Sequence, residues 1–259
     1  MNKRGFTLAE VLITLAIIGI IFVLVIPIIV QNSVDKANAA KLSSTIYDIE
    51  EAFQTAILFE KTNSLYETQM WAEVPVNAKK GDKAKFVEEL DKYLKTNTYK
   101  KSFSEFYGAK KVYSITDNGN KGSIIDKFPY ISETFAITLK NGVVIFLSTF
   151  DNASSIAEET KKAKKENCSL NTKAAEIVID VNASEMPNVI GKDIFFFILG
   201  EDGHLYPFGG KDVARITSGG EWNSADSTFA CTDSIKGAST AKGLGCTARI
   251  IADGYRINY

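Results

Sequence analysis

Residues 1–27 read MNKRGFTLAEVLITLAIIGIIFVLVIP, and a single acid, Glu10, stands at the head of their apolar run. From Val11 to Val30 twenty consecutive residues carry no formal charge. As a helix they reach about 30 Å, the thickness of a bilayer's hydrocarbon core. A secretory signal would have a shorter apolar region ending at a small-residue cleavage site. The continuation IPIIVQNSVDKANAA offers no A-x-A, and Ala39 and Ala40 lie inside a helical pattern. Lys3 and Arg4 precede the run, so the positive-inside rule predicts a cytoplasmic N-terminus and an extracytoplasmic remainder. A carboxylate within such a helix is costly to insert and calls for a partner. The nearest cations, Lys3 and Arg4, lie a turn or more away. Glu10 therefore either takes a cation from another molecule or snorkels toward headgroups at the membrane edge.

Working outward, SVDKANAAKLSSTIYDIEEAFQTAILFEK places Leu42, Ile46, Ile49, Phe53 and Ile57 at steps of three and four, an amphipathic helix. No break separates it from the apolar run, so one helix is expected from about Phe6 to about Glu60. Between Lys61 and Tyr130 the chain turns polar and lysine-rich. DKAKFVEELDKYLK reads there as a helix with Phe86, Leu90 and Tyr93 or Leu94 on one face, and KVYSITDNGNKGSIIDKF as a surface loop. ETFAITLKNGVVIFLS predicts a hairpin, with Asn141-Gly142 favouring a type I′ turn. EETKKAKKENCS reads as a solvated helix, its lysines matched by Glu158, Glu159 and Glu166. AAEIVIDV and KDIFFFILGEDGHLYPFG supply further strands. Four strands beside a long helix predict an α+β domain.

The segment KRGFTLAEVLITLAIIGI resembles the leader and N-terminal helix of type IV prepilins and of the pseudopilins of type II secretion. That resemblance implies cleavage by a prepilin peptidase after Gly5 and methylation of the new amino terminus, Phe6. It implies that the amino group of one subunit neutralises Glu10 of a neighbour, fixing axial register in a filament. Gly19 and Pro27 are both unfavourable inside a helix. They read as an ordinary kink or, by the resemblance, as the place where the helix loosens on leaving the bilayer.

The expected organisation is a leader at 1–5, a transmembrane and assembly helix at 6–30, its amphipathic second half at 31–60, and an extracytoplasmic pilin-like domain at 61–259. The implied fold is α+β, a long N-terminal helix packed on a small antiparallel sheet, with a disulfide-containing C-terminal region. Implied partners are other pilins or pseudopilins, the peptidase, the inner-membrane assembly platform and the lipid bilayer. The expected location is the bacterial inner membrane and then a pilus or pseudopilus. CTARIIADGYRINY is similar to the endings of secretion pseudopilins. A membrane-tethered binding domain that never assembles is the alternative, and a membrane-anchored enzyme a second rival.

Composition narrows the chemistry. Thirty Lys and Arg against 31 Asp and Glu give a net charge of −1, so no nucleic-acid binding is expected. His204 is the one histidine, and no nucleophile motif adjoins it. Cys168, Cys231 and Cys246 show no zinc spacing, and no cofactor is expected. Three cysteines allow three single pairings. Cys231 and Cys246 flank 14 residues rich in Gly, Ser and Thr, and pilins close their C-terminal region with such a bond, so that pairing is the expected one. DVNASEMPNVIGKD gathers hard oxygen donors at Asp180, Asn182, Ser184, Glu185, Asn188 and Asp193. It fails as an EF-hand, with no Gly at the sixth position and Gly191 at the twelfth. A polar turn is expected, with Asp180, Asn182 and Asp193 as weak calcium candidates.

Overall fold

The computed structural model describes residues 7–72, 83–100, 102–115, 121–128, 131, 134–148, 170, 173–183, 185–186, 188–217, 219–224, 229–231, 243–257 and 259. Gly5, Phe6, Cys168, Ser184 and the EETKKAKKENCS segment lie outside the described residues. The chain divides into two compact units, Met1–Ala37 and Asn38–Tyr259.

Helix α1 (Leu8–Glu60) continues through both Gly19 and Pro27. Thr7 and the helix as far as Val34 are exposed, including Leu12, Ile20, Val23 and Leu24. This apolar helix is long enough to cross a membrane. Pro27 has no amide hydrogen, so the carbonyl of Val23 one turn earlier loses its helical donor.

In the second unit α1 presents Ala39, Leu42, Ile46, Ile49, Ala52, Phe53 and Ala56 to the core, the three-and-four spacing of one helix face. They pack on a six-stranded antiparallel sheet. Its members are β1 (Thr96–Lys100), β4 (Thr134–Leu139), β5 (Val144–Ser148), β6 (Lys173–Asp180), β8 (Ile194–Gly200) and β9 (Leu205–Pro207), ordered β1-β4-β5-β6-β8-β9. Side chains alternate across a pleated strand. Phe195, Phe197 and Leu199 of β8 therefore join α1, with Ile177 and Ile179 of β6 and Ile145 and Leu147 of β5. Ile194, Phe196, Ile198, Val178, Val144 and Phe146 point the other way, into a second core with Tyr107, Phe128, Phe208 and Phe229. A sheet buried on both faces needs apolar residues at every position, which explains the continuous IFFFIL run.

The layer over the far face is built from short elements. Helix α4 (Phe103–Tyr107) is N-capped by Ser102, whose side chain accepts from the Glu105 amide at 3.2 Å. A small sheet is formed by β2 (Val112–Ile115), β3 (Lys121–Ile125) and β7 (Asn188–Val189), with β7 parallel to β2. Helix α5 (Lys211–Ile216) follows, with Val213 and Ile216 in the second core, whereas α6 (Cys246–Ala252) buries Ile250 in the core on the α1 side. On the α1 side stand α2 (Gln69–Ala72) and α3 (Lys83–Asp91), the latter burying Phe86 and Leu90.

Three local expectations are corrected. KVYSITDNGNKGSIIDKF is not a surface loop throughout, because Val112, Ile115 and Ile125 are buried and β2 pairs antiparallel with β3. Among the described residues the main sheet has six strands rather than four, since β1 is a polar edge strand, TNTYK, with no apolar alternation to betray it, and the KDIFFFILGEDGHLYPFG run folds into two strands, β8 and β9. The β4–β5 turn is not type I′. Gly142, and not Asn141, takes positive φ (82°), the Gly142 amide donates to the Leu139 carbonyl at 3.0 Å, and the Leu139 amide donates to Val143 at 2.8 Å. This is a three-residue loop closed by a left-handed glycine. Asn141 Oδ1 accepts from the Val143 amide at 3.0 Å, which fixes the side chain inside the loop.

Candidate assembly site

At the start of α1, Thr7 and Glu10 cap one another. The Thr7 amide and hydroxyl donate to Glu10 Oε2 at 2.8 and 2.9 Å, and the Glu10 amide donates to Thr7 Oγ1 at 3.3 Å. The first amides of a helix have no partner within it, and this reciprocal box occupies two of them. Glu10 Oε1 has no hydrogen-bond partner among the described residues. The site thus holds an exposed carboxylate, oriented by one threonine, with one oxygen free, at the head of an exposed apolar helix. Sequence reasoning singled out Glu10 and passed over this role of Thr7. The signal was the T-x-x-E spacing ahead of an apolar run. Gly5 and Phe6, where processing is expected, lie outside the described residues. At Gly19 a Cβ would meet nothing within 4 Å, so no contact with the described residues requires glycine there.

The structure pairs Cys231 with Cys246, Cα atoms 5.0 Å apart, both sulfurs buried. Gly191 (φ 91°) lets the backbone approach the bond, since a Cβ there would stand 2.9 Å from Cys246 Cβ. Arg249 Nη1 donates to the Cys231 carbonyl at 2.7 Å, and its guanidinium lies 5.9 Å from the Trp222 ring and 4.8 Å from that of Tyr259. The Tyr259 hydroxyl donates to the Gly191 carbonyl. The disulfide and the last residue are thus closed into one clasp.

The three calcium candidates do come together, at the end of β6 and the start of β8, whose register places Asp180 opposite Ile194. Asp180 Oδ2 accepts from the Tyr107 hydroxyl at 2.6 Å and Oδ1 from the Asn182 amide at 3.2 Å. Asp193 Oδ1 accepts from the Val189 amide at 2.6 Å and Oδ2 from Asn182 Nδ2 at 3.2 Å. All four carboxylate oxygens accept hydrogen bonds, and the buried Asn182 Oδ1 beside them has no partner among the described residues. No third acid joins them in a metal-holding group among the described residues. Burial pushes Asp180 up to about 8, against the lowering effect of Tyr107 and of the backbone amides. Asp193 is raised well above the usual carboxylate range, by burial first and by the charge of Asp180 second.

His204, in the β8–β9 turn, has Nδ1 3.5 Å from Glu50 Oε1 and a ring nitrogen 3.1 Å from Gln54 Nε2. Glu50 also accepts from the Leu205 amide at 2.8 Å, so the histidine ties that turn to α1.

Comparison with known proteins bears on the first of these sites. Residues 1–26 match the model of the prokaryotic N-terminal methylation motif. The chain is 37% identical over 67 residues to the type II secretion system core protein G of Klebsiella michiganensis, a match covering 26% of this chain and 44% of that protein. The match thus spans less than half the length of that relative. No solved structure matches the chain. Glu10 and the first part of the exposed apolar helix accordingly lie within the stretch that matches the prokaryotic N-terminal methylation motif.

Proposed function

We propose that this chain is a structural subunit of a type II secretion pseudopilus or a type IV pilus. Its leader is removed by prepilin peptidase after Gly5, and Phe6 becomes the methylated amino terminus. Before assembly the segment 6–30 anchors it in the bacterial inner membrane, N-terminus inside and globular unit outside, the orientation that Lys3 and Arg4 favour. Assembly then proceeds through α1 on an inner-membrane platform. The subunit performs no catalysis and needs no cofactor; its work is mechanical.

The observation that carries this reading is Glu10, an acid on an exposed apolar helix whose only partner among the described residues is Thr7. In the bilayer the Thr7 donors partly satisfy the carboxylate and lower the cost of holding it in the monomer. In a filament the amino terminus of a neighbour takes the free oxygen. A misregistered subunit leaves that charge unpaired among apolar helices and is rejected.

The deciding experiment is mass spectrometry of the amino terminus after purification from the native membrane, for the wild type and Gly5→Ala. A wild-type chain beginning at N-methylated Phe6, with the variant keeping its leader, supports the reading. An intact leader in both overturns it in favour of a tethered domain that never assembles.

A further inference from the structure

A cleft of about 610 Å³ opens on the second unit between α1, the segment after α3, and the β4–β5 loop. Its size is that of a ligand site, about 300–1,000 Å³. Its charges sort by element. α1 contributes Asp48 and Glu51; the other two segments contribute Lys92, Lys95 and Lys140. Lys92 is taken by Glu89 at 2.5 Å. Asp48, Glu51, Lys95 and Lys140 are exposed and have no ion pair among the described residues. Lys140 does lie in the field of Asp91, whose carboxylate is already held by the Thr96 amide and hydroxyl at 2.7 and 2.9 Å.

The remaining lining is apolar or neutral: Ala52, Leu94 and Leu139 are buried, with Tyr93 half-buried beside them. The Tyr93 ring stands 6.4 Å from that of Phe59, which is 77% exposed, next to Leu58 at 76%. An exposed aromatic shoulder beside a charged cleft is the arrangement of a protein-binding hot spot with its polar rim.

We infer that this cleft binds an extended peptide segment of mixed charge, its basic side chain toward Asp48 and Glu51, its acidic one toward Lys95 and Lys140, and an apolar one on Tyr93 and Phe59. Two uncommitted acids face two uncommitted lysines, so the cleft has no net charge but a strong internal separation of charge. A purely anionic or purely cationic ligand gains on one wall what it loses on the other. A bipolar one gains on both and is oriented by them. The inference is independent of whether the chain polymerises.

The test uses the full chain, ¹⁵N-labelled, in detergent micelles, titrated with acetyl-Lys-Phe-Glu-amide while the Thr55, Leu94 and Asn141 amides are followed. The expected result is saturable shifts with a Kd on the order of 1 mM. Binding should be at least about threefold tighter than for acetyl-Gln-Phe-Gln-amide and for the Lys-Phe-Lys and Glu-Phe-Glu peptides, a preference that added salt erases. Glu51→Gln with Lys140→Gln, both on exposed side chains, should remove that preference. Equal binding of the neutral or either single-sign peptide overturns the proposal, as does the absence of saturable shifts by about 10 mM.

Discussion

The Thr7 hydroxyl donates to Glu10 Oε2 at 2.9 Å while the Glu10 amide donates back to the same hydroxyl at 3.3 Å. One residue pair therefore both starts α1 and holds the acid on which assembly is proposed to depend. The two roles separate by mutation. Glu10→Ala should insert in the membrane as well as the wild type, having lost a charge, while filament yield falls at least about tenfold, the effect of some 1.4 kcal/mol at each docking. Fractionation and sheared-filament blots read the two quantities, and normal filament yield would refute the register role. Thr7→Val keeps the charge and loses the cap, which costs about 1 kcal/mol of helix start, so a milder filament defect is expected.

Gly19 has open space where a side chain would stand. Gly19→Ala should therefore fit without strain and favour the helix by about 1 kcal/mol. If α1 must loosen during assembly, this variant inserts and is processed normally but yields fewer filaments. Unchanged yield would leave Gly19 without a mechanical role.

Cys231→Ser should destabilise the C-terminal region by about 3 kcal/mol, the loop-entropy value for a ring of this length. Limited proteolysis under oxidising conditions should then cleave the variant faster, and the wild type should change to match it on reduction. Gly191→Ala should mimic part of this loss with both cysteines present, because it forces a side chain against Cys246 from a left-handed backbone. Unchanged digestion of all three would contradict the clasp.

The buried Asp180 sets a pH dependence. Its carboxyl is pushed up to about 8 in the fold from an ordinary value of 3.8, so over that interval the folded chain holds a proton that the unfolded chain releases. Stability from this group is greatest below pH 3.8, falls as pH rises toward 8, and is flat above. The limiting slope is about 1.4 kcal/mol per pH unit for one proton. Denaturation midpoints at pH 5, 7 and 9 should decline, and Asp180→Asn should flatten the decline while Asp193 retains its own share. A wild-type midpoint that rises across this range would exclude a proton held at Asp180.

Much of this protein was legible in residue order because the relevant physics is local. A twenty-residue uncharged run, the cations Lys3 and Arg4 before it, an acid at position 10 and apolar residues at helical spacing define the apolar segment and the helix that continues from it. The hairpin of β4 and β5 was marked by its β-branched runs, although its turn type depended on whether Asn141 or Gly142 took the left-handed conformation.

What only the tertiary structure decided are the relationships between distant segments. Residue order left three cysteine pairings open; the approach of α6 to the chain before it chose Cys231 and Cys246. It showed oxygen donors between Asp180 and Asp193 as a polar turn; the register of β6 against β8 and the packing of α4 turned them into a buried, hydrogen-bonded acid pair. The cleft joins positions 48–55, 92–95 and 139–141, which no spacing rule connects. Periodicity reports which face of an element is apolar, but burial of a sheet on both faces and the meeting of remote side chains follow from how the elements pack, and that free energy is shared over the whole core.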